Sequence, residues 1–221
     1  MLTLEDQHEV RDAVSRVQQR VSATLQKLAS AQQAIDFTAV LHANLDKAAN
    51  IEAERGPPPQ CKAGCSHCCS VRVEASDAEA LNIAQYLQAS ERTDFDQLEN
   101  RLRENAYFHL HQAGDTPGRI DCAFLHDHRC SIYDVRPATC RKAHSLSVSA
   151  CERGAAELPQ NLALLIQCEV LINGTNAAFQ GLNLPASANE LSAAVLAAMA
   201  GPDVADAWYQ GTALLSASTP P

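Results

Sequence analysis

Aromatic side chains are scarce in this sequence: Phe, Trp and Tyr make up 5% of 221 residues, and only one is Trp. Sheets lean on aromatic and β-branched residues, so this shortage, in a chain rich in Ala and Leu, predicts helices. Positive charge is short as well. Lys and Arg number 17 against 26 Asp and Glu, a formal net charge of -9. A surface this acidic repels phosphate backbones and anionic lipid heads, which argues against nucleic-acid and membrane partners. No unbroken apolar run of about 18 residues occurs, so no bilayer-spanning segment is expected. The first residues, MLTLEDQHEV, lack the basic start, apolar middle and small-residue cleavage site of a secretory leader. The expected address is therefore cytoplasmic, where thiols stay reduced and structural disulfides are rare. Neither G-x-S-x-G, nor H-E-x-x-H, nor a phosphate-cradling glycine loop is present, so no hydrolase chemistry is assigned and an enzymatic role stays open.

What the chain does have is cysteine. There are 9, an odd number that fits a disulfide framework poorly. Four of them, Cys61, Cys65, Cys68 and Cys69, crowd into QCKAGCSHCCS. Soft thiolates suit zinc, copper(I) and iron–sulfur clusters, and ligands two or three residues apart curl around one ion. Adjacent residues usually point apart. Cys68 and Cys69 are thus expected to serve two ions, a cluster or a bridging position rather than one mononuclear site. A second segment, CAFLHDHRCSIYDVRPATCRKAHSLSVSAC, adds Cys122, Cys130, Cys140 and Cys151, spaced 8, 10 and 11.

Together these eight sulfurs suffice for two four-thiolate sites, or for one cluster and a smaller site. Lys62, Arg129, Arg136, Arg141 and Lys142 lie beside them in sequence and would offset thiolate charge. Reduced cysteines scattered in a core are the alternative, but Gly, Ser, His and Asp neighbours are wrong for a core. Cys168, in NLALLIQCEVLI, shares a helical face with Leu164, Leu171 and Ile172 and reads as a buried structural cysteine. His67, His126, His128 and His144 lie close enough in sequence to replace a thiolate. His8, His42, His109 and His111 fall on predicted helix surfaces.

The fold class predicted is mainly α, with little or no β and two irregular cysteine-bearing segments forming a metal centre. Residues 1–56 read as an amphipathic helix or helical hairpin: Val10, Val14, Val17, Val21, Leu25 and Leu28 form a stripe spaced 4, 3, 4, 4, 3. A turn near Asp36, with Asp36 capping a second helix, would make the hairpin. The stripe would pack on the core, or else mediate self-association or hold a protein partner. GPPP at 56–59 ends this arm, residues 57–215 form the cysteine-cluster domain, and residues 216–221 form a flexible tail.

Within the domain, VRVEAS suggests a short strand, and Ser76 to Glu79 is a capping box for a helix to about Ala89. Thr93 starts another helix, and GDTPG at 114–118 makes a turn. Ile132–Tyr133 suggests a short strand over the metal, and Pro137 opens a helix whose first turn holds Cys140. Helix resumes from Leu158 to about Gly181. Ser187 to Glu190 reads as a second capping box, and Asp203 as the cap of a last helix.

C-x3-C-x2-C-C at Cys61 to Cys69, followed by CAFL…RCSIYDVRPATCR and ACERG, resembles the YkgJ-type cysteine-cluster family, whose members are described as zinc- or iron-chelating. The resemblance covers about Gln60 to Arg153, with Ala123 where Pro is common. It implies zinc or iron as the bound metal, with Cys61, Cys65, Cys68, Cys69, Cys122, Cys130, Cys140 and Cys151 as ligands. A related cysteine segment in flagellin lysine methylases is associated with an iron–sulfur cluster, which keeps an iron–sulfur redox, oxidoreductase or regulatory role as the alternative. Cys61, Cys65 and Cys68 also have the spacing of radical S-adenosylmethionine enzymes, but the alternating strands and helices of their barrel do not follow.

Overall fold

The computed structural model describes residues 3–62, 64–90, 94–111 and 118–215. Its helices are α1 (Leu4–Leu25), α2 (Ala31–Asp36), α3 (Thr38–Arg55), α4 (Asp77–Ala89), α5 (Phe95–Leu110), α6 (Ala138–Lys142), α7 (Val148–Glu152), α8 (Leu162–Gly181), α9 (Leu191–Ala198) and α10 (Val204–Tyr209). Strands are two residues long: β1 (Glu74–Ala75), β2 (Leu125–His126), β3 (Arg129–Cys130) and β4 (Asn189–Glu190). The mainly helical expectation holds.

Capping explains where most of these helices begin. The Thr3 hydroxyl accepts from the Asp6 amide while the Asp6 carboxylate accepts from the Thr3 amide, and Ser76 and Glu79 repeat that exchange as expected. The N-terminal arm breaks twice: at Phe37, next to the expected Asp36, and also over residues 26–30, where the Ser30 hydroxyl accepts from the Gln33 amide. Asp36 is the last residue of α2 and does not cap α3, whose N-cap is Phe37. Ala31, Ala34 and Ile35 of the short α2 between the breaks are buried. Thr93 and residues 114–117 of the expected turn lie outside the described residues, and α5 opens at Phe95.

The capping box expected at Ser187 to Glu190 does not form. Asn189 and Glu190 instead pair antiparallel with Ala75 and Glu74, and the Glu190 carboxylate itself accepts the Ser192 and Ala193 amides. Asp203 does precede the last helix, without a capping hydrogen bond from its side chain.

The main core gathers α2, α4, α5, α9 and α10 around Ile35, Ile83, Leu87, Leu102, Phe124 and Val195. The single tryptophan, Trp208, is fully buried, and its Nε1–H donates to the Pro185 carbonyl at 2.8 Å, satisfying its polar atom.

The valine stripe of α1 lies along α8, and the two helices run parallel: Val14 and Val17 meet Gly174, and Gln18 Nε2 donates to the Ala177 carbonyl. A Cβ on Gly174 would stand 2.6 Å from the Val17 Cβ and 2.9 Å from the Val14 carbonyl oxygen, closer than real contacts permit. Gly174→Ala is therefore expected to force the helices apart, destabilising the fold by about 1–3 kcal/mol despite alanine's better helix propensity. Thermal unfolding measures this, and an unchanged Tm would show that the seam can yield.

α8 is long and apolar enough to cross a membrane by length and composition, with mean hydropathy 1.3. Gln167, Glu169 and Asn173 break its apolar run. In the fold it packs on α1 and α3, and Glu169 pairs with Lys142 at 2.5 Å.

Candidate metal centre

Past the Gly56–Pro59 break, the Gln60 amide donates to the Ser145 carbonyl at 2.8 Å, and its side-chain oxygen accepts the Val148 amide at 3.0 Å. These two bonds bring Cys61 alongside Cys151 of α7. Gly64, at φ +87°, lets the chain turn so that the Cys65 amide reaches the Lys62 carbonyl at 2.9 Å. His67–Ser70 then forms one 3-10 turn carrying both Cys68 and Cys69. Cys68 is exposed and Cys69 half-buried, but the two side chains do not point apart as expected, since the Cys69 thiol donates to the Cys68 sulfur.

The second segment is tied to the first through the backbone, with the Cys122 amide donating to the Cys69 carbonyl at 2.7 Å. From Cys122 the chain enters the β2–β3 hairpin, in which Leu125 faces Cys130. Its tip, Asp127 at φ 47° and His128 at φ 59°, is left-handed at both central positions, as a tight hairpin turn demands. Asp and His tolerate that conformation better than most residues.

The expected strand at Ile132–Tyr133 is absent. Ile132 is buried, Tyr133–Val135 is a 3-10 turn, and the exposed Tyr133 ring lies under the Arg136 guanidinium at 3.7 Å. Pro137 does precede α6, which holds Cys140 in its first turn.

Sulfur neighbourhoods emerge from the electrostatics. Cys61 responds to Cys65, Cys68 and Cys151. Cys69 responds to Cys68, Cys122 and Cys130, and Cys140 to Cys122, Cys130 and Cys68. Seen this way the thiols fall into two neighbouring groups: Cys61, Cys65 and Cys151 in one, Cys69, Cys122, Cys130 and Cys140 in the other. Cys68 is felt by both. Among the described residues, no three Cys, His, Asp or Glu side chains are drawn tightly enough together to hold an ion.

Burial first, then the neighbouring sulfurs, pushes the thiols of Cys61, Cys130 and Cys140 up, and Cys122 to about 11. The Cys69 thiol is raised mainly because it donates to the Cys68 sulfur, and that same bond lowers Cys68. The group is thus a set of soft donors that gives up its protons when a cation stands among them. Such a donor set fits zinc or iron.

Cations reach these sulfurs from places the local sequence does not suggest. Arg101, on α5, donates to the carbonyls of Cys122 (3.1 Å) and Leu125 (2.7 Å) and favours the Cys122 thiolate. Arg119 donates to the His67 carbonyl and the Ser70 hydroxyl and favours the Cys68 thiolate. Of the five cations named from sequence, Arg136 acts on Cys130. Arg141 is instead engaged by Asp46 at 2.6 Å, and Lys142 by Glu169.

The histidines sort clearly in two cases. His144 has both ring nitrogens committed to backbone, to the Lys142 carbonyl and the Asn161 amide, so it is a structural residue. His126 is exposed and pairs with Asp127. Two histidines expected on helix surfaces, His42 and His109, are buried.

His42 meets Glu79 at 3.0 Å, and Glu79 also accepts the Ser76 amide and hydroxyl and, at 2.6 Å, the Ala138 amide at the start of α6. This carboxylate therefore helps set where Cys140 sits. Nothing local marks it beyond the capping box, since its other partners come from α3 and α6. Cys168 stays outside the group, 1% exposed among Leu41, Leu45, Ala138 and Leu164, as its sequence context predicts.

No curated protein and no solved structure matched the chain. A family model did match, over residues 60–161: that cysteine-bearing segment is similar to the CxxCxxCC family, described as a putative zinc- or iron-chelating domain.

Proposed function

We propose that Cys61, Cys65, Cys68, Cys69, Cys122, Cys130, Cys140 and Cys151 chelate zinc or iron in two adjoining sites. One site draws on Cys61, Cys65 and Cys151, the other on Cys122, Cys130 and Cys140. Cys68 and Cys69 complete the sets and join them. The observation that carries this reading is that Cys68 lies within electrostatic range of sulfurs in both groups, although those groups come from distant stretches of chain. Bound metal supplies a cross-link between the two segments and the positive charge that eight thiolates need.

Metal analysis of anaerobically prepared protein, with a visible spectrum, tests the proposal. Two zinc or iron equivalents per chain are expected, and fewer than one would overturn it. Because the thiols of Cys61, Cys69, Cys122, Cys130 and Cys140 are pushed up, metal must displace protons there. Affinity should therefore fall as pH falls below neutrality, with proton release measurable in weakly buffered solution. A polynuclear iron–sulfur centre, with redox or regulatory work, is the second reading, favoured by the adjacency of Cys68 and Cys69. It requires a brown chromophore, which a colourless zinc-loaded protein would eliminate.

A further inference from the structure

α1 and α8 leave a groove along their outer edge. It encloses about 500 Å³ and is lined chiefly by Val10, Ala13, Ile166, Val170 and Leu171. At the N-terminal end of this parallel pair, Leu4 and Leu162 are 76% and 62% exposed. α1 also carries an ordered set of charges along this edge, of which Glu9 and Arg16 line the groove itself. Glu5, Glu9, Arg16 and Arg20 fall within about 60° of one another around the helix, counted at 3.6 residues per turn. Positions 5 and 20, like 9 and 16, are equidistant from the midpoint between Asp12 and Ala13.

A helix with that pattern is complementary to itself turned end for end. Glu5 then meets Arg20 of a second copy and Glu9 meets Arg16, with both pairs repeated by the two-fold axis. In-register parallel pairing would set like against like. Small Ala13 lies beside the axis and permits close approach, while Asp12 does not line the groove. Within the chain the arrangement has no use: all four side chains are exposed, and among the described residues none makes an ion pair. Glu5 with Glu9, and Arg16 with Arg20, are like charges four apart, which by themselves disfavour the helix.

We propose that the α1–α8 edge is a docking surface for a second copy of this chain, held antiparallel by these four charges over the shared apolar groove. Light scattering on the full-length, metal-loaded chain tests it. Wild type should show twice the 23.8 kDa chain mass. Glu5→Arg with Glu9→Arg makes the stripe uniformly basic and should return the single-chain mass, with helical circular dichroism unchanged because both sites are exposed. Adding Arg16→Glu and Arg20→Glu reverses the whole pattern and should restore the doubled mass. A wild-type chain that stays monomeric across the accessible concentration range would overturn the proposal, as would a basic variant that keeps the doubled mass. Failure of the fully reversed variant to reassociate would overturn the antiparallel pairing.

Discussion

Replacing Cys140 by serine should remove one metal equivalent per chain and leave the other in place. Serine is close in size, but its hydroxyl stays protonated and cannot supply a soft anionic donor. Cys140 is the α6 contribution to a group otherwise made by Cys122 and Cys130 on either side of the β2–β3 hairpin, with Cys69 in the preceding 3-10 turn. Binding of a structural zinc ion is worth about 10–16 kcal/mol in small peptides, so loss of the ion should loosen this segment more than any change outside its donor set.

Cys151→Ser should remove the other equivalent, because its sulfur neighbours Cys61 rather than Cys140. Metal content per chain, measured with thermal unfolding, distinguishes these outcomes. If both variants keep their full metal content, the eight-cysteine assignment fails. Cys168→Ala serves as the control and should retain all metal, since that sulfur is packed among aliphatic side chains of α3, α6 and α8.

The second large effect is expected at Glu79. Burial alone would raise its carboxyl, but hydrogen bonds from His42 and from the Ser76 and Ala138 amides outweigh it and hold the group below the ordinary carboxylate range. Glu79→Ala removes the acceptor and leaves His42 and the first amide of α6 buried without a partner. Leaving a buried polar group unsatisfied costs about 1–3 kcal/mol for each group. Because the Ala138 amide is freed, α6 should shift and the metal affinity of the Cys140 group should fall too.

The pH dependence follows from the lowered carboxyl. Its contribution is complete above the unfolded-state value, about 4.3, and is lost as pH falls through the lower folded value. Acid unfolding of wild type and Glu79→Ala should therefore converge at low pH. A constant gap between the two curves would place the stabilisation elsewhere.

Legibility varied with the range of the interaction that decides each feature. The Ser76–Glu79 capping box, Pro137 ahead of α6 and the burial of Cys168 were all readable, because each depends on neighbours within a turn or two. The break next to Asp36 is legible, but Phe37 and not Asp36 is the N-cap of α3, and the earlier break that Ser30 closes carries neither glycine nor proline to mark it. Glu190 was read as the third residue of a capping box when pairing with β1 makes it the cap itself. His42, on an otherwise unremarkable helix, could not be recognised as buried without knowing that Glu79 stands against it.

From residue order alone come the helical class, the chemistry of the donors and their two clusters, because composition, spacing and thiol softness are local properties. Only the fold decides which sulfurs are neighbours, which arginines reach them and which carboxylate holds α6 in place. Arg101 and Arg119 make the point: Arg101 donates to the carbonyl of Cys122, and Arg119 to the carbonyl of His67 beside Cys68, both presented by folded loops. Electrostatic reach is set by distance in space and by burial, and neither is written in the order of residues along the chain.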